Sequence, residues 1–236
     1  MAKAVIVQHV AHEGPGWLAE VLDDAGMSVD IRAMYDGAAL PRVDEVGALV
    51  VLGGPMGAYD DEQVPWLGEV KQLMVGAVEH HIPTLGVCLG AQLLAVACGG
   101  RVTKGAAGPE LGLGDVRLTG DARDDALLGA LERDVQTVQW HWDCIELLPQ
   151  GAVPLASSTA YENQAFRLGE QAWGFQFHPE VTLPLVAQWA QDDASGVREA
   201  GLDPTHVVGA VADAERALLE TWTPVLDRFA RLTRDR

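Results

Sequence analysis

The chain has 236 residues, and 48% of them are hydrophobic, so its length and composition fit one large α/β domain with a sizeable core. It carries 34 acidic against 16 basic residues, for a formal net charge of −18. Such an acidic surface attracts neither nucleic acid nor an anionic membrane, so we expect neither as a partner.

The three cysteines, Cys88, Cys98 and Cys144, are an odd and sparse set. They do not make a disulfide framework, which favours a reducing, cytoplasmic setting. The N-terminal apolar run at 4–7 is too short for an export signal, and no apolar stretch approaches the length of a membrane span. The cysteines and histidines show no paired ligand spacing, so we expect no metal site.

Strands and helices are predicted to alternate in the first hundred residues. Apolar runs predict strands at 4–8, 28–32, 48–52 and 83–87, and helical periodicity predicts helices at 17–25, 64–80 and 89–98. This alternation is typical of a parallel, doubly wound sheet.

The pattern changes after residue 100. Short alternating runs predict strands at 101–104, 115–118, 135–138, 153–156 and 164–167. We interpret them as an antiparallel section packed on the same domain. A further strand is predicted at 172–177, a helix at 182–194, and a last helical stretch from residue 203 that Pro224 is expected to break or kink.

Cys88 lies where a predicted strand turns directly into a predicted helix. Gly86-Val87-Cys88-Leu89-Gly90 has the spacing of a nucleophile elbow, with cysteine in place of the usual serine. The glycines leave room for the turn, and a helix N-terminus favours the thiolate. Cys88 is therefore predicted to be a reactive nucleophile, and a plain buried cysteine is the alternative.

A cysteine nucleophile needs a base, and His178 is the candidate. It follows a predicted buried strand, and active sites of open α/β sheets collect at strand ends. Glu180 lies two residues further on, and its carboxylate would hold the imidazole in one tautomer. Alone, His-Pro-Glu is more typical of an ordinary loop. His9 and His12, near the end of the first strand, are further candidate pocket residues.

Acyl transfer also needs N–H donors for a developing oxyanion. The glycine-rich run at 53–57 follows a strand that should lie beside the Cys88 strand. We expect Gly54 to supply one donor and Leu89, directly after the nucleophile, the other. A simple turn is the alternative at 53–57, and a phosphate loop is disfavoured because no Gly-Lys-Ser/Thr follows.

Three motifs thus follow one another, at 53–57, 86–92 and 174–181. Together they resemble the class I (triad) glutamine amidotransferases, and among these the stand-alone chains similar to the amidotransferase domain of GMP synthase. The resemblance covers about residues 4–189. It implies a flavodoxin-like, doubly wound, mostly parallel sheet with a small antiparallel section and C-terminal helices. Residues 1–196 would form the amidotransferase-like domain, and 197–236 a helical extension of it.

The resemblance also implies a reaction that uses no cofactor. Cys88 would attack the side-chain amide of glutamine, and His178, oriented by Glu180, would relay the proton that releases ammonia. The γ-glutamyl thioester left on Cys88 would then be hydrolysed to glutamate.

Substrate-binding residues follow from the same resemblance. Gln92 matches a residue that contacts bound glutamine, and Trp142 and Asp143 belong to the segment that holds its amino-acid end. Asp143 would pair with the α-ammonium group, and a helix or turn cap is the alternative for this carboxylate. Met56 and Gly57 are expected to line the same pocket.

Two other segments that resemble the family, Lys104 and residues 109–112, are expected to be structural.

Partners and alternatives follow from departures from the family pattern. The chain contains no nucleotide-binding loop, so an ATP-dependent synthetase partner would use the ammonia, and a homo-oligomer is compatible with the sequence. Trp142 stands where glycine is usual in the family, which keeps open a γ-glutamyl hydrolase acting on a conjugate. The third alternative is a catalytically idle regulatory or interaction module that docks through 197–236.

Overall fold

The computed structural model describes residues 3–234; residues 1, 2, 235 and 236, which the predicted domain and extension include, lie outside the described residues. The strands are Lys3–Gln8 (β1), Ser28–Ala33 (β2), Ala48–Val51 (β3), Thr84–Val87 (β4), Arg101–Lys104 (β5), Glu110–Leu118 (β6), Asp134–His141 (β7), Asp143–Leu147 (β8), Val153–Ser157 (β9), Ala165–Leu168 (β10) and Ala172–Phe175 (β11). The helices are Leu18–Asp24 (α1), Trp66–Glu79 (α2), Leu89–Ala97 (α3), Leu183–Asp192 (α4), Ala194–Glu199 (α5) and Pro204–Arg234 (α6).

One nine-stranded sheet, in the order β2-β1-β3-β4-β11-β10-β9-β6-β7, runs through the protein. Its first five strands are parallel to one another, and the remaining four are each antiparallel to their neighbours. A separate antiparallel pair joins β5 to β8. The predicted α/β class, the doubly wound parallel part and the antiparallel section are confirmed.

The predicted elements differ from the structure mainly in the antiparallel half. Strand β6 begins at Glu110 rather than at 115, although two glycines in this stretch disfavour a strand. Its pairing with β7, which continues to His141, overrides that local preference. Strand β8 was not predicted, and the helix expected at 182–194 ends at Asp192 before a short α5.

The central parallel strands bury both faces. On β1, Ile6 belongs to the core under α1, α4 and α6, whereas Val5 and Val7 belong to the core under α2 and α3. Continuous apolar runs in these strands follow from this two-sided burial, because neither face meets water.

Helix α6 closes the first of these cores and runs unbroken through Pro224, so a break at this residue is wrong, whereas a kink there stays a prediction. Trp222, Val225 and Phe229, on either side of the proline, are fully buried. The Trp222 indole N–H donates to the carbonyl of Gln136 on β7 at 2.9 Å. Packing against the sheet on both sides of Pro224 outweighs the hydrogen bond that proline removes.

Close backbone packing fixes α3 on the sheet. A Cβ added to Gly90 would lie 2.0 Å from the Val51 carbonyl oxygen, and one on Gly86 would lie 2.5 Å from the Gly90 carbonyl oxygen. Only glycine at these two positions allows the helix to start directly above strands β3 and β4.

We therefore expect Gly90→Ala to lower the free energy of unfolding by about 1–3 kcal/mol, because α3 must move away from β3. The control is Gly209→Ala in α6, where a Cβ meets nothing within 4 Å. It should raise stability by about 0.5–1 kcal/mol. Urea denaturation measures both, and equal effects would contradict the packing argument.

Candidate active site

The carboxyl ends of β1, β3, β4 and β11 meet at one edge of the parallel half of the sheet. The segments that follow these strands contain residues 9–16, 52–57, 88 and 176–180. Since ligands of open α/β sheets bind outside these strand ends, the four segments define the candidate site.

Cys88 occupies a backbone conformation that side chains rarely adopt, with φ 51° and ψ −109°. Among residues 3–234, His81 is the only other non-glycine residue with positive φ. The Cys88 N–H donates to the Phe175 carbonyl at 2.7 Å, and the Cys88 carbonyl accepts from the Gln92 N–H at 3.0 Å. Strand β11 and helix α3 therefore hold the strained residue in place, as expected of an elbow.

His178 and Glu180 form a buried pair. The His178 N–H donates to the Val138 carbonyl on β7 at 2.8 Å, which ties the segment after β11 to the antiparallel half. His178 Nδ1 lies 2.9 Å from Glu180 Oε1, and both residues are at most 3% exposed. A carboxylate only accepts, so Nδ1 carries the proton. Nε2 has no hydrogen-bond partner among the described residues.

The charges around His178 favour its protonated form. Burial by itself lowers the pKa of His178, but attraction to the Glu180 carboxylate and to the Cys88 sulfur outweighs burial, and the pKa is held well above 6.5. The Trp189 ring packs against the imidazole, with centroids 4.7 Å apart. The Cys88 thiol donates to the Trp140 carbonyl at 3.6 Å. The raised pKa of His178 therefore favours an imidazolium cation beside the sulfur.

The loop after β3 approaches the same atoms. A Cβ on Gly53 would lie 3.2 Å from both His178 Cε1 and a carboxylate oxygen of Glu13, and 3.5 Å from Cys88 Cβ. One on Gly54 would lie 3.0 Å from the Leu89 side chain. Glycine at 53 and 54 thus lets the backbone lie against the cysteine and the start of α3, where donors for an oxyanion are needed.

These residues surround a cavity of about 560 Å³. Eight of the ten predicted site residues line it: Gly54, Met56, Gly57, Cys88, Gln92, Trp142, Asp143 and His178. Glu180 lies behind His178, and Leu89 lies behind Gly54. The Gly57 N–H is already taken by the Asp60 carboxylate at 2.7 Å, so Gly57 shapes the wall and its N–H is not free.

Gln92 lies on the first turn of α3 and is 3% exposed. Its amide donates to the Asp143 carbonyl at 3.3 Å and to the Gln176 side chain at 3.2 Å. His141 Nδ1 also lies 2.9 Å from the Asp143 carbonyl. The backbone of Asp143 is thereby fixed from two sides.

The Asp143 carboxylate itself is left for a ligand. Asp143 is the first residue of β8 and caps no helix, and its carboxylate has no hydrogen bond within the described part of the chain. Burial raises its pKa, and the charge of Asp60 adds to this, while Lys104 and His141 act in the opposite direction. A partly buried carboxylate without a partner is suited to a cationic group.

Several cavity residues were not predicted. Trp189 packs against Trp140, which belongs with Trp142 and Asp143 to the segment expected to hold glutamine, with ring centroids 5.8 Å apart. Lys104, expected to be structural, also lines the cavity. Glu13 lines it beside His178, and burial raises the pKa of Glu13. The position of Glu13 directly after β1, at a strand end, could have indicated that it lines the cavity. No local pattern indicated Trp189, which helix α4 positions at the cavity.

The two candidate pocket histidines have different positions. His12 lines the cavity, whereas His9 is fully buried and accepts the Trp66 indole N–H on Nδ1 at 3.2 Å. Burial lowers the pKa of His9 to about 4, so it is neutral at physiological pH. It supports the loop at Gly54 from behind.

Within residues 3–234, no three His, Cys, Asp or Glu side chains are placed to hold a metal ion. None of the helices in that range has the combined length and apolarity that a membrane-spanning helix needs.

Comparison with known proteins yields a match to the family model described as glutamine amidotransferase class-I, over residues 16–187. The glutamine amidotransferase-like protein YfeJ of Salmonella typhimurium is 30% identical over 202 residues, which are 81% of this chain and 84% of YfeJ. The crystal structure of a glutamine amidotransferase from Thermotoga maritima superposes with a TM-score of 0.87 at 29% identity, covering 97% of this chain and 98% of that one.

Glutamine-hydrolysing GMP synthases also match. That of Porphyromonas gingivalis is 33% identical over 150 residues, which are 63% of this chain but only 28% of the synthase. In Haloarcula marismortui, a separate GMP synthase subunit is 32% identical over 161 residues, which are 68% of this chain and 76% of that subunit. The chain therefore spans a little over a quarter of the length of the full synthase and most of the separate subunit.

We expect iodoacetamide at neutral pH to alkylate Cys88 faster than Cys98 or Cys144. The cation of His178 lies beside Cys88, whereas burial raises the pKa of the other two thiols. His178→Asn should slow alkylation of Cys88 about tenfold or more. His80→Asn, at an exposed helix end, is the control. Mass spectrometry of the cysteine peptides measures the rates, and an unchanged Cys88 rate in His178→Asn would contradict the coupling.

Proposed function

The chain belongs to the class I glutamine amidotransferase family of enzymes, and from this premise we propose that it hydrolyses the side-chain amide of glutamine through Cys88, His178 and Glu180. The observation that carries the proposal is the strained Cys88 and the buried His178–Glu180 pair, which line and back one cavity. The ammonia released would pass to an acceptor or a partner synthetase.

The first half of the reaction forms a thioester. The Cys88 sulfur, its proton held by His178 Nε2, attacks the amide carbon of glutamine as a thiolate, and a C–S bond forms as the carbonyl oxygen becomes an oxyanion. The backbone N–H groups of Gly54 and Leu89 would stabilise that oxyanion. His178 transfers its Nε2 proton to the amide nitrogen, the C–N bond breaks, and ammonia leaves.

The second half returns the site to its starting state. His178, now neutral, takes a proton from a water molecule that attacks the thioester carbon. The C–S bond breaks and glutamate leaves. Glu180 stays ionised throughout, because its role is to hold Nδ1–H and to stabilise the imidazolium each time it forms.

The pocket residues would bind the amino-acid part of the substrate. The Asp143 carboxylate is suited to the α-ammonium group, and Gln92 keeps the Asp143 backbone in place. Met56, Gly57 and Trp142 form the walls. Trp142 stands where the family usually has glycine, so its side chain would shape the pocket differently in this chain.

A partner that consumes ammonia is part of the proposal. Two relatives of this chain are named as separate subunits of GMP synthase, and a separate subunit implies a second component. We propose an ATP-dependent synthetase as that component, and its acceptor is unidentified.

The size of the cavity favours a second candidate, hydrolysis of a γ-glutamyl conjugate. A volume of about 560 Å³ falls within the range of about 300–1,000 Å³ that drug-sized ligands occupy, so the site has room for a substituent on the amide nitrogen. Comparing kcat/KM for glutamine with that for γ-glutamyl amines and peptides separates the two candidates, and a strong preference for free glutamine rejects the conjugate.

We expect Cys88→Ala to abolish glutamine hydrolysis, with a loss of at least about a thousandfold in kcat, while glutamine still binds. Glu180→Gln should lower kcat by more than about a hundredfold, because the imidazolium loses its ionic partner. Cys98→Ala, outside the cavity, is the control. Coupled assays of glutamate and ammonia measure turnover, and activity that survives in Cys88→Ala would rule out the mechanism.

A catalytically idle module makes the opposite prediction for labelling. An electrophilic glutamine analogue should label Cys88 stoichiometrically, and free glutamine should protect it. Absence of both labelling and glutamine binding would favour the idle alternative.

The pH dependence of KM tests Asp143. The pKa of Asp143 is raised, so on acidification its carboxylate takes up a proton at a higher pH than an ordinary aspartate does. Once protonated, it no longer attracts the α-ammonium group. We expect KM for glutamine to rise as pH falls from about 7 towards about 4. Asp143→Asn should have a high KM that no longer changes through this range, and Asp121→Asn on the surface should behave as the wild type. A matching acid rise of KM in Asp143→Asn would contradict the assignment.

A further inference from the structure

We propose that Lys104 binds the α-carboxylate of the substrate opposite Asp143, and so restricts the enzyme to γ-amides that carry a free α-carboxylate. The inference rests on the proposed function and names the group that selects its substrate class.

Strand pairing places Lys104 and Asp143 together. They are direct partners in the antiparallel register of β5 and β8. Residues directly opposite one another in such a pair project from the same face, with Cβ atoms about 4.5–5.5 Å apart. Both residues line the cavity. The cavity wall thus presents a cation and an anion at adjacent positions.

The backbone on each side of this pair is fixed. The Gly105 N–H donates to the Trp142 carbonyl at 2.9 Å, and the Thr103 hydroxyl lies 3.8 Å from the Cys144 sulfur. A Cβ on Gly105 would lie 2.1 Å from the Tyr161 hydroxyl, so the strand end is tightly packed. The two charged side chains therefore project from a rigid base.

Lys104 and Asp143 attract one another, but neither forms an ion pair with any of residues 3–234. The chain has three lysines, and Lys3 and Lys71 each form an ion pair, with Asp30 and Asp61. Lys104 forms none within 4.0 Å in the described part of the chain, and neither does Asp143. An unpaired lysine is notable in a chain with 34 acidic residues, since carboxylates are plentiful.

An α-amino acid complements this arrangement. Its ammonium and carboxylate groups are bonded to one carbon, so one molecule can meet Asp143 and Lys104 at once. Charge-assisted hydrogen bonds of this kind fix orientation as well as affinity. The γ-amide would then extend from Asp143 and Lys104 towards Cys88, which lines the same cavity. A structural cross-strand attraction between β5 and β8 is the competing role for Lys104.

The experiment compares glutamine with L-glutaminamide, in which a neutral carboxamide replaces the α-carboxylate. The wild type should prefer glutamine in kcat/KM. Lys104→Met should raise KM for glutamine about 10- to 100-fold, the expected effect of losing a hydrogen bond to a charged group, with kcat changed less than about threefold. KM for L-glutaminamide should stay the same, so the preference for glutamine over L-glutaminamide is lost.

Two further variants separate binding from structure. Lys104→Arg keeps a cation and should retain most of the preference. Lys71→Met removes a lysine whose ion pair with Asp61 lies outside the cavity, and should leave both KM values unchanged. A KM that rises equally for both substrates in Lys104→Met, or a loss of stability with the preference intact, overturns the proposal.

Binding to Cys88→Ala protein keeps this test independent of turnover. Calorimetry with glutamine and L-glutaminamide, with and without Lys104→Met, should show the same loss of preference. If the wild type proves unable to hydrolyse glutamine while the Lys104-dependent preference persists, the proposed function fails and the carboxylate site stands. Binding of neither compound overturns the Lys104 proposal.

Discussion

The close approach of α3 to the parallel strands is the constraint on which the site depends. Gly86 and Gly90 let the helix begin where β4 ends, and this forces Cys88 into the left-handed region. The hydrogen bonds of Cys88 to β11 and to the first turn of α3 hold that strain. Without this contact the sulfur would have no fixed position relative to His178, which follows β11, the neighbour of β4 in the sheet.

The two halves of the sheet supply different parts of the site. The parallel half brings together the ends of four strands, with the cysteine, the histidine and the glycine-rich loop. The antiparallel half contributes part of the wall at Trp140 and His141, where β7 ends, and the separate β5–β8 pair adds Asp143 at the start of β8. The hydrogen bond from the His178 N–H to Val138 joins the halves beside the imidazole. The nine-stranded sheet therefore positions the candidate catalytic residues, and the separate β5–β8 pair completes the pocket.

Burial sets the electrostatics of the site in opposite directions for different groups. His178 is buried beside the Glu180 carboxylate and the Cys88 sulfur, so its pKa rises, whereas His9 is buried without such neighbours, so its pKa falls to about 4. Only the first can act as a proton donor at neutral pH. Helix α6 helps to maintain this dry environment, because Trp222 packs at a tilt against Phe177, directly before His178, with ring centroids 4.9 Å apart.

The sequence by itself determined the parallel strands, the elbow at Cys88 and the candidate roles of His178 and Glu180. A local pattern predicts each of these features: an apolar run, a glycine spacing or a strand end. The tertiary structure decided the rest. Strand β6 forms despite its two glycines because β7 pairs with it. Helix α6 continues past Pro224 because the residues on both sides of the proline pack against the sheet. Lys104 and Trp189 reach the cavity only through contacts between distant segments, and no local pattern encodes such contacts.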